Sequence, residues 1–193
     1  MTTFLLHGGA TSKNIPENDR FFAQFTELVD KNEVKILLCY WARKKDEWKK
    51  LFDRDTAKIT QNTQKEVKFH VVEDIADLFS KINDFDVLYV AGGDAELLEP
   101  YYPDLSQLQE KLDGKVYAGS SMGAFMASES YVLSFDSQDD ERLHNGIGLV
   151  PIQTLCHWNV EDKRAFKLDL LDSHKPILTL SEGEFVEIYQ KKE

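Results

Sequence analysis

The chain has 193 residues, 42% of them hydrophobic and 30% charged, with a formal net charge of −11. That length suits one domain over residues 1–193 with a full core, and the acidic balance argues against nucleic acid or an anionic membrane as partner, because both require a basic face. No apolar run approaches the ~20 residues of a membrane span, and the N-terminus lacks the charged-then-apolar layout of a signal peptide, so the expected compartment is the cytoplasm.

In chain order, Thr3 to His7 is a short apolar strand that runs into Gly8-Gly9. Residues 14–18, around Pro16, read as loop. From Arg20 to Val29 the apolar residues Phe21, Phe22, Phe25, Leu28 and Val29 fall at helical spacing. Val34 to Tyr40 is a nearly continuous apolar run, the pattern of a strand covered on both faces. A helix from about Lys45 to Ala57 gathers Trp48, Leu51 and Phe52 on one face, and Lys44-Lys45 and Lys49-Lys50 read as its wet side. Val67 to Val72 is a strand, Ile75 to Ile82 a helix, Val87 to Ala91 a strand, and a helical pattern starts at Ala95. Val116 to Ala118 follows as a further strand. Five alternations of strand and helix specify an α/β fold, a three-layer sandwich with a mostly parallel sheet and helices on both faces.

The last third changes character. Tyr131 to Leu133 is a short strand candidate, Ser137 to Glu141 is polar loop, and Gly146 to Pro151 leads into a strand over Ile152 to Leu155. Asp162 to Leu171 is helical, and Pro176 to Leu180 and Phe185 to Tyr189 are two closing strands around Ser181–Glu184. Cys39 and Cys156 are too few for a disulfide framework and read as small buried apolar residues.

Chemistry concentrates where Lys115-Val116-Tyr117-Ala118 runs into Gly119-Ser120-Ser121-Met122-Gly123. That turn matches G-x-S-x-G with Ser121 at the serine position, a pattern with physical meaning only between a strand and a helix. Such turns also serve simply to pack a helix closely. Ser120 is the rival nucleophile, but only Ser121 stands between the two motif glycines. A serine needs a base, usually a histidine oriented by a third group. Of the five histidines, His7 ends a strand before two glycines, His70 alternates within a strand, and His144 and His174 sit in polar surroundings that favour a solvated role. His157 follows a strand beside an aromatic residue, so it can project from a sheet end, although a hydrogen-bonded structural histidine fits as well. Gly92-Gly93, ending the expected neighbouring strand, suits an oxyanion hole or an ordinary helix-capping turn with Asp94 as N-cap. No His/Cys/Asp group shows metal-ligand spacing, and Gly8-Gly9 is not a dinucleotide fingerprint.

Taken together, AGGD (91–94), GSSMGA (119–124), SFD (134–136), GLVPIQ (148–153) with His157 four positions on, and LSEG (180–183) resemble the serine dipeptidases of the peptidase E type. These belong to peptidase family S51 with the cyanophycinases and share a fold related to the class I glutamine amidotransferases. The resemblance runs from about Val87 to Gly183; the N-terminal half fits in its strand–helix rhythm, helped by the opening LLHGGA. It implies Ser121 as nucleophile, His157 as base, Glu182 as the orienting acid, Gly93 and the Met122 N–H as the oxyanion hole, and Asp136 as a substrate-binding aspartate near the site. The implied reaction is hydrolysis of dipeptides or other short peptides through an acyl-enzyme, without cofactor or metal, by a monomer or homodimer.

Two departures from the family pattern carry expectations. Met122 replaces the alanine that usually follows the nucleophile, which reshapes the pocket. The segment after His157 lacks the G-E-T-R run that holds an acidic side chain in the aspartyl dipeptidases, so several N-terminal residues should be tolerated. Two other readings compete: an inactive member acting as a binding or regulatory protein, and an α/β-hydrolase esterase using Asp136 with His157. The 72 residues after Ser121 are few for the rest of an α/β-hydrolase sheet. Amidotransferase chemistry is disfavoured, since it places cysteine where Ser121 stands.

Overall fold

The computed structural model describes residues 1–133, 142–159 and 162–191. Its main sheet has six strands in the order β10-β1-β5-β4-β2-β3. These are β1 (Thr2–His7), β2 (Glu33–Cys39), β3 (Glu66–Val71), β4 (Val87–Val90), β5 (Val116–Ser120) and β10 (Phe185–Gln190). All neighbours pair in parallel except β10, which runs antiparallel to β1. Side chains alternate across the pleat with period two, and the core divides accordingly. Ile36, Leu38 and Tyr89 face one layer, and Leu37, Cys39, Leu88 and Val90 face the other.

The first layer holds α1 (Pro16–Glu27) and α2 (Trp48–Gln61). Phe21, Phe22 and Phe25 of α1 are fully buried and cluster around Tyr89, with ring centroids 5.1–6.3 Å away. Burying each phenylalanine contributes about 1.5–3 kcal/mol. Sequence reading gave residues 14–18 to a loop, yet Pro16 opens the helix. Its missing N–H is one the first helical turn leaves unbonded anyway, so the proline costs nothing there. The opposite layer holds α3 (Ile75–Lys81), the short α4 (Ala95–Leu98) and α5 (Leu108–Lys111), and α6 (Met122–Ala127).

After α6 the chain leaves the main sheet. A second sheet, ordered β7-β6-β8-β9, contains β6 (Ser128–Val132), β7 (Leu143–Asn145), β8 (Val150–Leu155) and β9 (Ile177–Thr179). It packs on the α6 layer, where the Phe125 and Tyr131 rings stack 4.7 Å apart. The segment expected as helix over Asp162–Leu171 forms 3-10 turns over Asp162–Leu170.

The two closing strands are present but belong to different sheets, β9 to the second and β10 to the main one. The strand before the serine continues to Ser120, since Gly119 pairs with Val90 and Ser120 with His7. Among the described residues no helix is long and apolar enough to cross a membrane.

Candidate active site

Ser121 stands at the C-terminal end of β5 with φ 50° and ψ −108°, a left-handed conformation that costs a non-glycine residue about 1–3 kcal/mol. Neighbours hold it there. Its N–H donates to His7 O at 2.9 Å, and its carbonyl accepts the Phe125 N–H at 2.9 Å. The motif glycines explain themselves through packing. A Cβ on Gly119 would lie 2.4 Å from Gly123 O, and one on Gly123 would lie 2.1 Å from Val90 O. Only bare backbone lets α6 come that close to the sheet. Ser120 is buried within β5.

His157 follows β8, with φ 56°. Its Nε2 lies 3.1 Å from Ser121 Oγ, and its Nδ1 lies 2.8 Å from Glu182 Oε1. An ionised carboxylate only accepts, so Nδ1 carries the proton and Nε2 is free to accept from the serine hydroxyl. Glu182 sits in a turn closed by Glu184 N–H donating to Ser181 O at 3.0 Å. Its own N–H donates to Asn159 Oδ1 at 3.0 Å, and its second oxygen accepts from Lys13 Nζ at 2.5 Å. Partial burial pushes the Glu182 pKa up, but the hydrogen bonds and charges of Lys13 and His157 prevail and hold it below the ordinary glutamate value.

The Gly8-Gly9 loop clasps the two sheets together. Gly8 donates to Glu184 O at 2.9 Å and accepts from His157 N–H at 3.0 Å; Gly9 O accepts from Gly183 N–H at 3.2 Å. At Gly9, with φ 106°, a Cβ would stand 2.3 Å from the His157 ring. The Gly9 N–H donates to His7 Nδ1 at 3.0 Å. Asn18 Nδ2 donates to Ala10 O and Lys13 O, so its Oδ1, 2.9 Å from His7 Nε2, accepts there. His7 is therefore the neutral Nε2–H tautomer. Its burial, with a smaller contribution from His157, brings its pKa down to about 4 against the opposing hydrogen bond to Asn18.

Beside the serine, Gly92-Gly93 follows the end of β4, and β4 pairs with β5. A Cβ on Gly93 would meet Ala42 O at 2.0 Å. Asp94 occupies the N-cap of α4, but its side chain caps nothing. The N–H groups of Gly93 and Met122 donate to no acceptor among the described residues. Met122 is 2% exposed and belongs to the core cluster, and the residue also borders the cleft. The free thiols Cys39 and Cys156 are both buried, and burial pushes the Cys39 pKa up to about 12.

Ser121, His157, Gly92 and Gly93 open onto a cleft of about 840 Å³, within the roughly 300–1,000 Å³ of small-molecule sites. His144, expected to be solvated, lines it instead. Its Nδ1 lies 2.8 Å from Glu99 Oε1 and its ring stacks on Tyr131 at 5.3 Å. The strand β7 that carries it is only three residues long, too short to show a pattern. Sequence reading also missed Lys13 and Arg43, which no local motif marks. Asp136 lies outside the described residues. Among those described, no group of three or more His, Cys, Asp or Glu is placed to hold a metal ion.

The chain is similar in fold to two solved structures at low sequence identity. A peptidase from an acI-B1 Actinobacterium superposes with TM-score 0.68 and 19% identity, covering 94% of this chain and 81% of that one. A putative peptidase E protein from Listeria monocytogenes EGD-e gives TM-score 0.63 and 17% identity, covering 99% of this chain and 100% of that one. The search of curated proteins gives no match. The family model of peptidase family S51 matches residues 4–192, and the chain therefore belongs to peptidase family S51.

Proposed function

We propose that this member of family S51 is a serine-type peptidase that hydrolyses dipeptides and other short peptides through Ser121, His157 and Glu182. Family membership gives the coarse class, a peptidase. One observation supports the finer reading above all others: the unbroken hydrogen-bonded line from Ser121 Oγ to His157 Nε2 at 3.1 Å and from His157 Nδ1 to Glu182 Oε1 at 2.8 Å.

The reaction follows from that line. Ser121 Oγ attacks the peptide carbonyl carbon as its proton passes to His157 Nε2. The carbonyl oxygen becomes an oxyanion that the Gly93 and Met122 N–H groups stabilise; one such donor is worth about 2.7–4 kcal/mol in a well-studied serine protease. Collapse breaks the C–N bond, and His157 returns its proton to the leaving amine. Water, deprotonated by the same nitrogen, then cleaves the acyl-enzyme ester and restores the serine. Glu182 stays ionised throughout and stabilises the imidazolium. The chemistry uses no metal or cofactor, and Asp136 contributes to substrate binding.

Turnover of a dipeptide panel by wild-type, Ser121→Ala and Ser120→Ala protein tests the reading. Ser121→Ala should abolish hydrolysis, and Ser120→Ala should keep most of it. Equal turnover by Ser121→Ala and wild-type protein would remove the nucleophile assignment, and faster turnover of short esters than of any dipeptide would favour an esterase.

A further inference from the structure

Several cationic side chains line the cleft, and their surroundings differ. Arg54 gives both Nε and Nη2 to Asp55 Oδ1, each at 2.7 Å, so a buried carboxylate matches its charge. Lys44 is exposed to solvent. Arg43 is half-buried, and its Nε donates to Gly92 O at 2.7 Å. Among the described residues no carboxylate lies within ion-pairing distance of its guanidinium. An arginine fixed at Nε keeps its two terminal nitrogens as a fork of parallel donors, the geometry that matches a carboxylate. A half-buried charge that no described carboxylate neutralises favours an anionic ligand.

The position is specific too. Gly92, to which Arg43 is tied, lies against the serine: a Cβ on Gly92 would stand 2.9 Å from Ser121 Cβ. The Gly93 Cβ position would lie 2.8 Å from Arg43 Nε. One residue of backbone therefore separates the guanidinium from the nucleophile.

We infer that Arg43 is a specificity-determining residue whose guanidinium fork binds a carboxylate of the peptide held on Ser121. This rests on the peptidase reading above. Two carboxylates on a short peptide present the same chemistry, the C-terminal α-carboxylate and an acidic side chain. The first makes the cleft an exopeptidase site, which closes off longer chains. The second restores the acidic preference that the lack of a G-E-T-R run argues against.

The test measures binding and so does not depend on turnover. Ser121→Ala protein, alone and combined with Arg43→Met, is titrated by calorimetry with Ala-Leu, Ala-Leu amide and Asp-Leu amide. With Arg43 present, at least one carboxylate-bearing peptide should bind about tenfold or more tighter than Ala-Leu amide, as a charge-assisted bidentate pair implies. Preference for Ala-Leu identifies the C-terminus, and preference for Asp-Leu amide the side chain. Arg43→Met should erase the preference and leave Ala-Leu amide binding unchanged. Arg43→Lys, which keeps charge without the fork, should restore only part of it. Equal binding of all three peptides with Arg43 present would overturn the inference. So would an equal loss for all three in Arg43→Met, which would show that Arg43 only props the Gly92 loop. A normal result here alongside an inactive wild-type enzyme would fault the peptidase reading and leave the carboxylate site standing.

Discussion

The two sheets contribute to the site in different ways. The main sheet supplies the proposed nucleophile: β5 is buried throughout and flanked on both sides by parallel neighbours, and Ser121 is forced into a left-handed turn at its end. The second sheet supplies the proposed base from the end of β8, and the proposed acid comes from the turn that carries the chain from β9 back to β10. Its strands are shorter, one pairing slips between Ser128 and Ser130, and β7 and β9 have three residues each. Strain is safely held in the first region because a packed core surrounds it. Precision in the second depends on single hydrogen bonds that tie it back to the first. The Gly8-Gly9 clasp and Lys13 are those ties, and both come from the loop after β1.

The comparison breaks most visibly at the acid. Glu182→Gln keeps the shape but offers Nδ1 a weaker acceptor and permits the wrong tautomer. A loss approaching ~10⁴-fold in kcat is expected, on serine-protease precedent, with the melting temperature little changed. Next comes the clasp. Gly9→Ala places a methyl where the His157 ring stands at a backbone angle that alanine resists, and a misplacement of about 1 Å costs ~10²-fold. Steady-state kinetics on the refolded variant checks this, and near-wild-type kcat would show that the ring has room.

A third test sharpens the contrast through pH. Folded His7 refuses a proton until pH about 4, whereas the unfolded chain takes one up near 6.5. Its contribution to stability is complete above pH 6.5 and is lost as pH falls to 4, by roughly 3 kcal/mol at 1.36 kcal/mol per unit. Urea titrations of wild-type and His7→Gln protein should therefore converge by about that amount between pH 7 and pH 4. The smallest effect belongs to Lys13. Its side chain is 57% exposed, and pairs of that kind contribute about 0.2–1 kcal/mol. Lys13→Met should thus lower kcat by no more than roughly fivefold.

How far the sequence disclosed this arrangement follows the same division. Strands such as Val87–Val90, apolar on both faces, and the phenylalanine triplet of α1 declare themselves through period and composition. Ser121 declares itself because tight packing at Gly119 and Gly123 leaves a local signature. His157 and Glu182 do not, since they stand just beyond the ends of β8 and β9, which pair in the second sheet, while the serine they meet lies at the end of a strand in the main one; only the order of motifs along the chain, through the family resemblance, singled them out. The clasp at Gly8-Gly9 was visible as two glycines, but its contact with His157 spans 149 positions and no local pattern encodes it. His144 was misjudged for a related reason. Its strand is too short to show alternation, and its partner Glu99 lies 45 residues earlier.

The central claim is that the base at the end of β8 and the acid in the turn between β9 and β10 activate the main sheet's serine. The most direct measurement is the rate at which a fluorophosphonate labels the protein, with the modified residue located by mass spectrometry, in wild-type and Glu182→Gln protein. The account predicts an adduct on Ser121 alone, absent from heat-unfolded protein and formed at least ~10²-fold more slowly in Glu182→Gln. An adduct on Ser120, or equal labelling rates in the two proteins, would contradict it.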